Sequence, residues 1–120
     1  LKGASVELGA SWVPEMLNRL DYVVRTWSRV DKNLSEIKRK PSEQLIEQMA
    51  FTPFAHENVG LLIDSSNAEL YLFSSDYPHV EGTRDPIGKF ESSLINKDEK
   101  TKDLFYSENF LRIFPDARIK

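Results

Sequence analysis

The run Phe73-Ser74-Ser75-Asp76-Tyr77-Pro78-His79 sets a carboxylate and an imidazole three residues apart, directly after an apolar stretch. A carboxylate at the C-terminal end of a buried parallel strand can hold a divalent metal or take a proton from metal-bound water. The plainer reading of Asp76 is a turn former that accepts loop N–H groups ahead of Pro78. His79 can serve as metal ligand, substrate contact or proton shuttle, or it can simply be a half-buried ring bonded to backbone. Glu7 stands at the end of an earlier candidate strand, beside Gly9 and Ala10. In a parallel sheet Glu7 and Asp76 share one end, where two carboxylates can bind one cation or divide acid and base roles. The alternative for Glu7 is an exposed or salt-bridged side chain. Arg84, in the loop Glu81-Gly82-Thr83-Arg84-Asp85, is free to meet an anionic substrate or to stay solvated. His56 reads as a capping or surface residue rather than a ligand. The chain has no Gly-rich phosphate loop, no His-Glu-x-x-His helix and no Gly-x-Ser-x-Gly elbow.

These residues need a frame, and the pattern predicts an α/β one. Ser5 to Gly9 is expected to be a short strand. Val13, Met16, Leu17, Leu20, Val23, Val24, Trp27 and Val30 recur at steps of three and four, the stripe of an amphipathic helix opened by Pro14. Trp12 and Trp27 belong to its core or an interface. Asp31 to Lys40 is charged and reads as a surface connection. Pro41-Ser42-Glu43 starts a helix ending near Gln48, Met49 to Phe54 is a strand stopped by Pro53, and Glu57 to Ile63 is a short helix. Glu69 to Ser75 is almost continuously apolar at its middle, as a strand buried on both faces should be. Asp85-Pro86 suits a helix start. The charged stretch from Asn96 to Lys102 opens another helix, and Ser107 is placed to cap a last one carrying Phe110, Leu111, Ile113 and Phe114. Strands alternating with helices indicate a parallel sheet. Three strands alone leave two edges unpaired.

Composition narrows the classes. Of 120 residues 40% are hydrophobic and 11% aromatic, enough for a packed core in one small domain. The net charge of −3, with Lys and Arg dispersed, argues against a nucleic-acid surface. With no cysteine, disulfides and thiolate metal sites are excluded. No apolar run reaches the roughly 20 residues of a membrane span. A cytoplasmic protein without membrane or nucleic-acid partners is the expectation.

The block Leu72-Phe73-Ser74-Ser75-Asp76-Tyr77-Pro78-His79-Val80-Glu81-Gly82 resembles the amidohydrolase-related family of metal-dependent hydrolases, in the branch that contains aminocarboxymuconate-semialdehyde decarboxylase. That family's final barrel strand ends in a Ser-Asp-Tyr-Pro-His-like motif. Glu7 to Pro14 with Arg19-Leu20-Asp21 resembles its Gly-rich strand end and following helix. Lys40 to Glu43 and Asn109 to Phe114 resemble its later helices, so the likeness covers essentially the whole chain.

The resemblance implies the C-terminal part of a (β/α)8 barrel, with about three parallel strands, residues 1–120 forming one incomplete domain. It makes Asp76 a metal ligand or the base for metal-bound water, and puts His79 and Glu81 near the active-site mouth. Zinc or manganese would serve in the complete enzyme, and this chain alone need hold none. The implied reactions on a small-molecule substrate are hydrolysis of C–N or similar bonds, or non-oxidative decarboxylation. The family's first-strand His-x-His pair is absent, and Glu7 stands where a middle-strand histidine is common. The isolated chain is therefore expected to be inactive. A different class of function is a non-catalytic α/β module, descended from a barrel, that covers its open edges by homo-oligomerisation.

Overall fold

A computed structural model describes residues 1–118. At its centre lies a small parallel sheet. Strand β1 (Gly3–Ser5) pairs with β2 (Met49–Phe51), Gly3 opposite Met49 and Ser5 opposite Phe51. A third extended segment joins through a single parallel bridge between Phe51 and Tyr71. The ladder continues at its C-terminal end, where Thr52 N–H donates to Ser5 O (3.1 Å) and Leu72 N–H to Phe51 O (2.9 Å).

Helices fill the connections. Helix α1 (Val13–Trp27) carries proline in its first turn and buries Val13 and Leu17. Helix α3 (Pro41–Gln48) has no cap of its own. Asp21 of α1 supplies one, accepting from Ser42 N–H (2.9 Å) and Ser42 Oγ (2.6 Å). Four further helices start on side-chain caps. Asp31 caps α2 (Lys32–Ser35), Asn58 caps α4 (Val59–Asp64), Asp85 caps α5 (Pro86–Ser93) and Asp98 caps α6 (Glu99–Asp103). Each cap satisfies N–H groups that the first turn leaves without partners. Helix α6 runs through a π turn (Leu104–Glu108) into α7 (Asn109–Ile113).

The core sits between the sheet and these helices. Tyr71, Phe90, Phe105, Leu70, Leu94, Val13 and Val59 are fully buried. Phe73 and Phe105 meet the Phe90 ring in edge-on contacts at 5.7 and 5.0 Å, a favoured aromatic geometry. A smaller cluster of Ala50, Leu72 and Ile113, with Ala4 against it, joins the sheet to α7. Gly60 brings α4 against α5, since a Cβ there would lie 2.2 Å from Ser93 O.

Several expected elements are shifted or shortened. The first strand is Gly3–Ser5, so Glu7 lies in the loop beyond it. The strand expected from Met49 to Phe54 ends at Phe51. The expected strand Glu69–Ser75 contributes one bridged residue. Asn67 accepts from Glu69 N–H and winds Ala68–Leu70 into a 3-10 turn, and Phe73 N–H donates to Phe105 O of the π turn. Three strands are thus two strands and a bridge. Helix α1 stops at Trp27, leaving Trp27 and Val30 exposed rather than in the core. The charged connection holds α2. Glu57 precedes α4 instead of starting it. Ser107 lies inside the π turn, where its hydroxyl donates to Asp103 O, and caps nothing.

Candidate functional site

The C-terminal ends of the three extended segments converge on one small cavity of about 90 Å³. Val6 and Glu7 follow β1, Thr52 to Phe54 follow β2, and Ser74 and Asp76 follow the bridged segment; all line it. Glu7 and Asp76, separated widely in sequence, are therefore neighbours of one space. Both have left-handed backbones, with φ of 61° and 55°. A non-glycine residue pays steric strain there, and such residues gather at functional sites. Asp76 Oδ2 is buried without a hydrogen-bond partner, an arrangement that costs stability unless something outside the chain occupies it. Glu7 is exposed.

The loop that carries Glu7 is held from the other side. Gly9, at φ 64°, packs so closely that a Cβ would meet the Phe54 ring at 3.0 Å and Glu57 Oε2 at 3.1 Å. The Glu57 carboxylate accepts from Ala10 N–H (3.0 Å), Ser11 N–H (2.7 Å) and Phe54 N–H (2.6 Å), and from the Ser11 hydroxyl. Burial pushes the Glu57 carboxyl up. The bonds from Ser11, Phe54 and Ala10 outweigh that and hold it below the ordinary glutamate value. Glu57 thereby fastens the loop after β1 to the loop after β2, the two walls of the cavity. The sequence reading missed this residue. A buried loop needs an acceptor for its N–H groups, but bonds spanning 46 and 47 residues leave no local pattern.

His79 and Arg84 lie elsewhere. They line a separate, larger cavity of about 490 Å³ with Ser75, Tyr77, Pro78 and Thr83. The turn between is tight: His79 N–H donates to Asp76 O (2.9 Å) and Gly82 N–H to His79 O (3.1 Å). Gly82 sits where a Cβ would be 2.8 Å from Asp76 O. Asp76 and His79 therefore line different cavities, with no lining residue in common. Glu81 is exposed and lines neither. His56 is exposed and stacks on Phe54 at 5.7 Å, as a surface residue.

Among the described residues no group of three or more His, Cys, Asp or Glu side chains is placed to hold a metal ion. Glu7 and Asp76 are two oxygen donors at one cavity, one short of the three protein ligands of a catalytic zinc site. By themselves they do not fit a resident metal.

An α/β chain with a small parallel sheet and carboxylates at the strand ends has the layout of many barrel and open-sheet enzymes. Comparison with known structures shows a specific likeness. The chain is similar to the crystal structure of an amidohydrolase from Mycobacterium avium subsp. paratuberculosis K-10, at 26% identity and a TM-score of 0.76, over 94% of this chain. It spans 28% of that amidohydrolase's length. No family model matches the chain, and no curated protein matches it. The likeness supports an amidohydrolase-related fold and origin. No helix among the described residues is long and apolar enough to cross a membrane.

Proposed function

We propose that this chain is the C-terminal part of an amidohydrolase-type (β/α)8 barrel of the aminocarboxymuconate-semialdehyde decarboxylase-like branch. In the complete enzyme Asp76 and Glu7 supply two carboxylates to a divalent metal, zinc or manganese, whose remaining ligands lie outside residues 1–120. The observation that carries this reading is the convergence of Glu7 and Asp76, both in left-handed backbone, on one cavity at the C-terminal ends of parallel segments. A bound metal would polarise the substrate or activate water. The chain's own residues bind and orient. Arg84 and His79 line the separate, larger cavity and offer a guanidinium and an imidazole to an anionic small molecule. Glu81, exposed nearby in the sequence, would meet substrate only in the complete enzyme. The parent chemistry is hydrolysis of a C–N or similar bond, or non-oxidative decarboxylation, and the chain alone has no turnover.

The surface supports incompleteness. The described chain exposes 8300 Å², whereas a compact monomer of this mass exposes about 6,600 Å². The excess, roughly 1,700 Å², is more than one partner contributes to an ordinary protein interface.

Elemental analysis of the purified 120-residue chain, with its mass in solution, tests the reading. The expected result is substoichiometric zinc and manganese and no hydrolytic turnover, with weak metal binding that Asp76→Asn abolishes. One tightly held metal per monomer, or binding indifferent to Asp76→Asn, would overturn the assignment of these two carboxylates. The excess surface also favours a second reading, a non-catalytic module that covers itself with a second copy. A dimer without metal, formed at micromolar concentration and unaffected by Asp76→Asn, would establish that reading instead.

A further inference from the structure

The outer edge of the Tyr71–Phe73 segment is not open. In an extended strand, successive residues direct their backbone hydrogen-bonding groups to opposite edges. Leu72 N–H turns inward to Phe51 O at 2.9 Å, so the backbone groups of Tyr71 and Phe73 turn outward. A further parallel strand would have to bond there. Both positions are taken by the C-terminal helix. Phe73 N–H donates to Phe105 O at 2.9 Å. Tyr71 O accepts from Asn109 Nδ2 at 2.9 Å, and the same amide donates to Ala68 O at 2.7 Å.

The π turn is what makes this possible. An i→i+5 turn inserts one residue into the ladder and releases a carbonyl from regular helical bonding. Phe105 lies within that turn, fully in the core. Asn109 begins the α-helix that resumes after it and is completely buried. Its Oδ1 has no partner, so the side chain is held for its two N–H bonds alone. A buried, half-satisfied amide is a costly choice for a helix that needed only apolar packing.

We propose that the π turn and Asn109 form an edge cap, an autoinhibitory contact that fills the strand-addition edge of the sheet. A strand from a second copy of the chain can pair with Tyr71–Phe73 only after the helix end withdraws. The proposal stands on these hydrogen bonds and not on the amidohydrolase reading.

Amide hydrogen exchange, followed residue by residue by NMR, tests it. In the unaltered chain the outward Phe73 amide is expected to be protected to within about tenfold of the inward Leu72 amide. In Asn109→Ala the Phe73 amide should exchange at least tenfold faster while Leu72 keeps its protection. The variant's weight-average mass, by sedimentation, should rise with concentration more steeply than the unaltered chain's. Unchanged exchange and unchanged mass in a folded Asn109→Ala would overturn the cap. If that variant fails to fold, the unaltered chain decides alone: a Phe73 amide exchanging at the free-peptide rate beside a protected Leu72 sinks the proposal.

Discussion

Asp76 can be weighed against its turn-forming alternative by stability alone. Its φ of 55° and its unpartnered Oδ2 both work against the folded state. Asp76→Gly should therefore raise stability by about 1 kcal/mol, the relief of left-handed strain, read by urea unfolding. A loss of stability would make the carboxylate a turn former, since it would then be holding the loop. Glu57 should behave in the opposite way. Glu57→Gln places an N–H₂ among N–H donors and should cost roughly 1–3 kcal/mol. Because its folded carboxyl lies below the ordinary value of 4.5, it contributes stability in full above that value. The contribution falls away as pH drops through the lowered folded value. Thermal melts from pH 7 down to 3 should show a steeper acid decline in the unaltered chain than in Glu57→Gln, and parallel curves would refute this. Asp76 was legible because a motif surrounds it. Glu57 was not, because its partners are remote.

The helices were largely legible and the strands were not, for a physical reason. Helix starts are written locally: Asp85 before Pro86 and Pro14 and Pro41 in first turns act on neighbours a few residues away. Strand extent depends on what lies alongside. Leu70 to Phe73 reads as a buried strand in composition, yet its outer edge meets a helix rather than a strand, and one bridge results. Likewise β1 ends at Ser5 because β2 offers no residue to pair beyond Phe51 except Thr52 N–H. The Trp27 and Val30 end of the apolar stripe is exposed because α1 stops where Asp31 starts α2. Gly60, which has low helix propensity, is a close contact between α4 and α5. Gly60→Ala forces α4 from the Ser93 carbonyl and should lower stability by about 1–3 kcal/mol. An unchanged melting temperature would show that the two helices can part freely.

The described chain is more extended than a compact domain of its length. Its radius of gyration is 15.9 Å and its axes are 51, 33 and 29 Å, against about 14 Å for a compact chain of this length. That shape and the excess surface go together. Joining Gly3–Ser5 to Met49–Phe51 has a further result, in time rather than in space. The helices between the two strands can form from local contacts, but β1 has to close the long loop that contains them all before it gains any hydrogen bond. It should dock late in folding. Ala4→Gly is then expected to speed unfolding and leave the folding rate nearly unchanged, as a stopped-flow chevron would record; slower folding would contradict this order. The cavity of Glu7 and Asp76 needs β1 in place, so the candidate site would be the last part of the chain to be assembled and the first to be lost.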